Sequence, residues 1–351
     1  MSRPGRGFSP IPLPAPLLRL CAAGYGAAVA RRNRRFDRGI GVRRLDCPVV
    51  SVGNLSVGGT GKTPVVAWIA RTLVAAGRRP VVALRGYRPD ASGRSDEAML
   101  HRSTLPDVPV VVGADRFRAI RALGEPVDDR TVVVLDDGFQ HRRLHRDFDL
   151  VLIDATRPDL DGRLLPHGRL REPLSSLARA DAVLVTRSHD LDPELAAAIA
   201  VCGGASPSAW SRHAWSGLTR WRADRPETLP ISWLSGRRVA TLLGVGHPEP
   251  IRRQLAAAGG RETLELPARD HDPYGDGRLA RIVDRCRAAD SIDAVFTTAK
   301  DWMKLRSRWP RDLAVVIPEL SIEFLAGETA LKASILGAID AFERLPDSAK
   351  R

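Results

Sequence analysis

The residues with the clearest chemical role form a glycine-rich turn that ends in a lysine and a threonine. Glycines at positions 58, 59 and 61 leave the backbone N–H groups of the turn free to surround phosphate oxygens. Lys62 can reach the β- and γ-phosphates of a nucleotide, and the Thr63 hydroxyl can ligate Mg²⁺. The turn therefore predicts a nucleoside triphosphate site made of Ser56, Val57, Gly58, Gly59, Thr60, Gly61, Lys62 and Thr63.

The segments on either side of this turn are a predicted strand and a predicted helix. Residues 49–52 form a short valine-rich run, and apolar positions repeat at helical spacing after Thr63 until Gly77. The usual pattern is G-x-x-x-x-G-K-[ST], and Ser56 stands at its first glycine position. Strand, turn and helix nevertheless occur in the required order, which favours a phosphate-binding loop over a flexible turn with an incidental lysine.

A second candidate site is the acidic pair Asp136 and Asp137, which ends an apolar strand predicted over residues 132–135. This is the geometry of a Walker B motif, in which a carboxylate beside the phosphate loop holds Mg²⁺ directly or through water. We therefore expect at least one of the two aspartates to contact the metal or the phosphates. The alternative is a turn with acidic capping residues.

Polar residues also follow another predicted strand in the first half of the chain. Arg85 and Tyr87 come directly after an apolar run, and Asp96 and Glu97 follow a polar loop. An acid in a loop above a nucleotide cleft can act as a general base. The same Ser-Asp-Glu sequence is also typical of a helix N-cap, so both interpretations stay open at this point.

In the second half of the chain, Asp270 and His271 follow a strand predicted at residues 264–266. Ligands of α/β sheets bind beyond the carboxyl ends of the strands, so we expect this segment to face the ligand cleft. A histidine flanked by acids can be oriented and made more basic for proton transfer. An isolated histidine elsewhere is more often structural.

The composition is that of an ordinary globular protein with an excess of positive charge. Its 351 residues are 44% hydrophobic, enough for two domains with their own cores, and the net charge is +13. This charge suits a phosphate-rich partner, whether a nucleic acid, an anionic membrane or a phosphorylated substrate. The four cysteines have no C-x-x-C spacing, so we expect neither a zinc site nor disulfides, and a reducing compartment.

The N-terminal segment couples an apolar stretch at residues 11–30 to an arginine cluster at residues 31–44. Three prolines and Arg19 interrupt the stretch and leave it short of the roughly 20 apolar residues that a spanning helix needs. We therefore predict an interfacial helix whose arginines meet anionic lipid headgroups. A signal peptide and a buried helix with a solvated basic end are the alternatives.

Short apolar runs alternate with helical patterns from residue 48 to about residue 205, which indicates a parallel sheet covered by helices. A stretch rich in tryptophan and arginine follows, and a second α/β pattern begins after it. We predict an α/β fold with a P-loop NTPase-like parallel-sheet domain and a second, smaller α/β domain. The predicted segments are 1–45 (membrane-associated), 46–207 (ATP-binding), 208–235 (linker), 236–320 (second domain) and 321–351 (a C-terminal strand and helix able to return to the first domain).

Several longer motifs occur in order over nearly the whole chain: SVGNLSVGGTGKTP, LRGYR followed by SDE, LDDGFQHRRLHRDFDLVLIDA, LLPHGRLREP, ARDH and TTAKDWMKL. Together they resemble those of the tetraacyldisaccharide 4′-kinases, the lipid A 4′-kinases of Gram-negative bacteria. Ser56 in place of the first glycine is itself usual in that family. Ala98 and Ala299 depart from its pattern, which often reads GDEP and TTEKD at these places.

This resemblance implies a reaction and a set of residue roles. The family transfers the γ-phosphoryl group of ATP to the 4′-hydroxyl of tetraacyldisaccharide 1-phosphate, which gives lipid IVA. Asp96 matches its catalytic base, and His271 matches the histidine paired with that base across the cleft. Lys62 and Thr63 match the phosphate and Mg²⁺ residues. The positions that match further residues around the metal and phosphates are Asp136, Asp137, Gln140, His141 and Glu172.

The resemblance also implies a location, a set of partners and a fold. The expected location is the cytoplasmic face of the bacterial inner membrane, where the partners are the lipid acceptor and the anionic membrane surface. The implied fold has two lobes joined by a small β-linker and an N-terminal amphipathic membrane helix. We expect a monomer that binds no nucleic acid.

Two other functions remain to be weighed against this one. A soluble P-loop kinase or NTPase that acts on a small metabolite would share the nucleotide site, but it would not need the apolar and basic N-terminal segment. A nucleic-acid-binding protein is suggested by the charge alone, and its binding to duplex DNA would depend steeply on salt.

Overall fold

The protein's structure is a computed structural model that describes residues 14–86, 95–123, 128–203, 205–269, 272–289 and 291–346, apart from the side chain of Asp96. The helices, in chain order, are α1 (Ala15–Asp37), α2 (Lys62–Ala75), α3 (Asp96–Thr104), α4 (Arg116–Arg121), α5 (Pro193–Gly203), α6 (Glu249–Ala257), α7 (Asp276–Ala288), α8 (Ala299–Leu305) and α9 (Glu328–Glu343).

The strands are numbered in the same way. They are β1 (Val49–Asn54), β2 (Arg79–Leu84), β3 (Val110–Val112), β4 (Thr131–Asp136), β5 (Phe148–Asp154), β6 (Ala182–Thr186), β7 (Ala209–Arg222), β8 (Arg225–Leu229), β9 (Arg238–Leu242), β10 (Arg261–Leu266), β11 (Ala294–Thr297) and β12 (Val315–Ala326). Most strand pairs are parallel, so the predicted α/β fold class is confirmed.

The chain divides into two compact units, each assembled from separate segments. The first takes its described residues from Met1–Lys62, Asp137–Trp210 and Ala326–Arg351, and the second from Thr63–Asp136 and Ser211–Leu325. Each unit therefore contains residues from distant parts of the sequence. The domain boundaries predicted above stay a prediction.

In the first unit, β1, β5, β6 and the start of β7 pair in parallel, in that order. Every residue of β1 and β5 is buried, as expected for strands that carry helices on both faces of a sheet. Helix α9 buries a stripe at helical spacing, which consists of Leu331, Ile335, Ile339 and Phe342. The strand β1 that leads to the phosphate loop is thus buried along its whole length and paired with β5.

In the second unit, β4, β2 and β3 form one parallel set, and β10, β9, β11 and β12 form another. The strands β7 and β8 make an antiparallel hairpin, and β12 lies next to β7. Helix α3 packs against helix α8. A core around Tyr274, Trp302 and Leu305 holds the second parallel set together.

Helix α1 is 23 residues long and leaves most of its surface exposed. Its buried residues are Ala22, Val29 and Asn33, while Leu17 and Leu20 are exposed to 42% and 69%. Among the residues that the structure describes, no helix has both the length and the apolar character needed to cross a bilayer.

Candidate nucleotide-binding site

The phosphate loop runs from the end of β1 to the start of α2, with Lys62 as the first helical residue. Gly58 and Gly61 have φ angles of +120° and +80°, a left-handed region that L side chains rarely adopt. Ser56 instead forms an extended bridge with Leu170, a conformation open to any residue. This explains why serine is accepted at the first glycine position of the pattern.

Lys62 lies at the centre of the site and faces two oxygen acceptors. Its Nζ is 3.0 Å from Oδ1 of Asn54 and 3.3 Å from Oδ1 of Asp137. Asn54 is fully buried, and its amide donates to the Ser56 carbonyl at 2.7 Å, which closes the loop. The ammonium group is therefore held in place before any nucleotide is bound.

Asp137 is held by two cations. Its Oδ2 accepts from Arg171 at 2.7 Å, and the same arginine donates to Gln140 at 3.1 Å. Burial opposes the ionisation of Asp137, but the charges of Lys62 and Arg171 outweigh it and hold the pKa of that carboxyl below its usual range. The site thus contains a carboxylate that stays charged well below neutral pH.

The turn that carries Asp137 approaches β1 closely, and Gly53 makes this possible. The Gly138 N–H donates to the Val52 carbonyl at 3.0 Å, and the Gln140 amide donates to the Asn54 carbonyl at 2.9 Å. A Cβ atom at Gly53 would lie 2.5 Å from Cβ of Phe139 and 2.7 Å from its backbone nitrogen. Only glycine leaves room for this turn.

Gly53→Ala is accordingly expected to destabilise the protein by about 1–3 kcal/mol, because the added methyl group overpacks a rigid contact with backbone atoms. Urea unfolding followed by circular dichroism measures the change. Gly337→Ala is the matched control, since nothing lies within 4 Å of a Cβ at that helical glycine, and we expect it to stabilise slightly. Wild-type stability in Gly53→Ala would contradict this account of the turn.

Asp136, the last residue of β4, contacts a histidine that the sequence analysis missed. Its Oδ2 is 2.7 Å from Nε2 of His101, which lies on α3 and is fully buried. The only sequence signal for this contact is that His101 follows Asp96 by five residues, which by itself suggests nothing. Asn54 and Arg171 were likewise not predicted as site residues, although both belong to the motifs SVGN and LLPHGRLREP.

Glu172 is fully buried, and both of its carboxylate oxygens are engaged by protein donors. The donors are Arg32 at 2.8 Å, Asn33 at 2.9 Å and Arg179 at 2.9 Å. The structure therefore brings Glu172 to α1, while its neighbour Arg171 reaches Asp137. A metal-binding role for Glu172 stays a prediction.

The remaining predicted residues are placed only in part. Asp96 is the first residue of α3, and Glu97 follows it with an exposed side chain. Arg85 is exposed at the end of β2, and His141 is half-buried. Tyr87, Asp270 and His271 lie outside the described residues, as does the Asp96 side chain, so the pairing of Asp96 with His271 stays a prediction.

One carboxylate oxygen beside the phosphate loop is suited to a cation. Oδ1 of Asp136 is buried and accepts no hydrogen bond from the described residues, whereas Oδ1 of Asp137 already faces the Lys62 ammonium at 3.3 Å. Oxygen ligands are those that Mg²⁺ prefers, and this ion usually keeps several waters, so it needs few protein ligands. The described part of the chain contains no cluster of three or more histidine, cysteine or acidic side chains placed to hold a metal.

These features define a P-loop nucleotide-binding protein of the α/β class: a glycine-rich turn between strand and helix, a lysine at the start of the helix, and a carboxylate beside that lysine. The model of the family described as tetraacyldisaccharide-1-P 4′-kinase matches residues 14–340, and the chain belongs to this family. The resemblance drawn from the motifs is thereby confirmed.

Similar proteins cover most of the chain. The tetraacyldisaccharide 4′-kinase of Geobacter sulfurreducens is 37% identical over 317 residues, which are 85% of this chain and 86% of that protein. The corresponding kinase of Pelobacter propionicus is 40% identical over 281 residues, 75% of each chain. A crystal structure of the "apo" form of LpxK from Aquifex aeolicus in complex with ATP matches with a TM-score of 0.71 and 28% identity, covering 93% of this chain and 99% of that one.

Proposed function

We propose that the protein transfers the γ-phosphoryl group of ATP to the 4′-hydroxyl of tetraacyldisaccharide 1-phosphate and so makes lipid IVA for lipid A biosynthesis. The observation that carries this proposal is family membership over residues 14–340, together with a lysine held by Asn54 and Asp137 at the head of α2. A soluble kinase of a small metabolite is disfavoured, because relatives of this length and similarity are named for the lipid reaction.

The phosphate loop binds the phosphates of ATP in this scheme. Backbone N–H groups of residues 58–61 and the Lys62 ammonium surround the phosphate oxygens, while the Val57 N–H donates to the Arg169 carbonyl at 2.8 Å. Phosphoryl transfer has a loose transition state, so positioning and charge neutralisation contribute more than covalent chemistry. Mg²⁺, when bound, neutralises charge on the β- and γ-phosphates, and Thr63, Asp136 and Asp137 are the residues that would hold it.

Asp96 is the proposed base that removes the proton of the acceptor hydroxyl, and His271 is its proposed partner. Asp96 begins α3, where Ser95 is the N-cap residue, so its position is fixed by a helix terminus rather than by a free loop. An acid and a histidine on separate segments would come together only when the substrate is bound, which would limit wasteful hydrolysis of ATP.

Helix α1 is the proposed contact with the anionic surface of the inner membrane, on the cytoplasmic side of that membrane. The protein would act there as a monomer and bind its lipid acceptor. The exposed Leu17 and Leu20 lie on the N-terminal half of the helix, and exposed arginines, among them Arg34 and Arg35, lie at its C-terminal end. Apolar side chains among acyl chains and arginines at the headgroups give an interfacial helix its two attractions.

Replacing both Leu17 and Leu20 with glutamate is expected to weaken binding to phosphatidylglycerol vesicles about 10²–10⁴-fold, since burial of each leucine contributes about 1.5–3 kcal/mol. Vesicle sedimentation at a fixed salt concentration measures the affinity. Leu191→Glu is the control, because that leucine is also exposed but lies outside α1. Equal vesicle binding by the double variant and the wild type would remove α1 as the membrane contact.

Incubation with γ-labelled ATP and a panel of acyl-disaccharide phosphates tests the proposed reaction. We expect label in the lipid fraction, at the 4′ position, only when the acceptor carries a free 4′-hydroxyl. Hydrolysis of ATP without label in any lipid would overturn the proposal. Label in a water-soluble metabolite would establish the alternative kinase.

A further inference from the structure

The side chain of His101 contacts the carboxylate of Asp136 inside the second unit, and neither side chain is open to solvent. Nε2 of His101 is 2.7 Å from Oδ2 of Asp136, and the exposed fractions of the two residues are 0% and 6%. With a proton on Nε2, the imidazole donates to this oxygen. One of the two oxygens of Asp136 is therefore fixed by α3.

The other oxygen of Asp136 lacks such a partner. Oδ1 is buried and accepts no hydrogen bond from the described residues. Buried carboxylate oxygens in proteins nearly always have a hydrogen-bond donor or a cation beside them. The contact with His101 thus settles which oxygen is held by the protein and which one remains for a ligand.

We propose that His101 is a positioning residue for Asp136: it holds Oδ2 so that Oδ1 is presented to the cation of the bound nucleotide. This inference rests on the proposed function, because it assigns His101 to the support of the kinase's metal site. Residues that hydrogen-bond a metal ligand orient it, and their loss typically weakens metal binding about 10–100-fold. Helix α3 then carries both the proposed base, Asp96, and the support for the cation's carboxylate.

A merely structural role for the pair makes a different prediction. A buried histidine that only fills space and satisfies Asp136 would contribute to stability, and its replacement would lower the unfolding temperature without changing cation affinity. The two roles are separated by what cation affinity depends on. If His101 positions Asp136, affinity falls whenever the hydrogen-bond donor at the Nε2 position is lost, whatever the change in stability.

The test is direct binding of Mn²⁺ to the full-length protein in the presence of a non-hydrolysable ATP analogue, followed by electron paramagnetic resonance. We expect His101→Leu to weaken Mn²⁺ binding about 10–100-fold. His101→Gln is expected to keep most of the affinity, because its amide N–H can occupy the place of Nε2. Leu105→Ala, which removes a buried side chain just beyond α3, is expected to lower stability without changing Mn²⁺ affinity.

His101→Asn supplies a second comparison if the leucine variant does not fold. Its amide corresponds to Nδ1 and falls short of Oδ2, so we expect it to lose the Mn²⁺ affinity that His101→Gln retains. Wild-type affinity in the leucine or asparagine variant would overturn the inference, as would an equal loss in Leu105→Ala. The lipid acceptor is absent from this measurement, so a wild-type protein that binds Mn²⁺ with nucleotide but labels no lipid would contradict the proposed function instead.

Discussion

Replacing Asp96 with asparagine is expected to lower turnover about 10²–10⁴-fold and to leave ATP affinity close to that of the wild type. Asparagine has nearly the same shape but cannot accept the proton of the acceptor hydroxyl, and phosphate binding depends on other residues. Initial rates of label transfer give the turnover, and titration with a fluorescent ATP analogue gives the affinity.

Ser103→Ala is a suitable control for Asp96→Asn because it removes an exposed hydroxyl near the other end of α3, where it bonds the Leu100 carbonyl. We expect this variant to retain wild-type turnover. Near wild-type turnover in Asp96→Asn would refute the role of the base. A parallel loss of ATP affinity would instead mean that Asp96 acts through the nucleotide site.

The second large effect is expected at the phosphate loop. Lys62→Met should lower kcat/KM about 10²–10³-fold, the usual effect of removing one fixed group that stabilises charge in a transition state. The side chain keeps its length and apolar stem but loses the ammonium that faces Asn54 and Asp137. ATP affinity should fall as well, since the lysine contacts phosphates in the ground state too.

Lys332→Met makes the same substitution at a half-exposed lysine of α9, which forms an ion pair with Glu328. It should leave kcat/KM unchanged. Thermal unfolding of both variants separates loss of function from loss of structure. Retention of most of the wild-type rate by Lys62→Met would mean that the loop does not bind the transferred phosphate.

The parts of the site that are formed by residues close together in the sequence could be predicted from it. The phosphate loop and the acidic pair at the end of β4 follow from apolar runs, glycines and charges that lie within a few residues of one another. The contacts that hold them could not be read in this way. Glu172 meets Arg32 across 140 residues of sequence, and Asp136 meets His101 across 35, so no local pattern marks either contact.

The fold shows the same limit in two strands. Pro318 is a sequence signal against a long strand at this place, because proline cannot donate to a strand ladder. The observed β12 nevertheless runs from Val315 through Pro318 to Ala326. The strand β7 spans 14 residues, and its buried and exposed residues do not alternate regularly. A sequence without a two-residue period gives no strand signal, which is why this stretch is predicted as a linker.

The network around Glu172 has a practical consequence for anyone who wishes to shorten the protein to make it easier to handle. Arg32 and Asn33 bind both oxygens of Glu172, and the Tyr25 hydroxyl donates to the Arg171 carbonyl at 2.9 Å. Deleting all of α1 would leave a buried carboxylate short of its donors, a change that costs about 3–5 kcal/mol. A shortened protein should therefore begin no later than Tyr25. The apolar first turns of α1 are then removed, while Tyr25, Arg32 and Asn33 keep their contacts with Arg171 and Glu172.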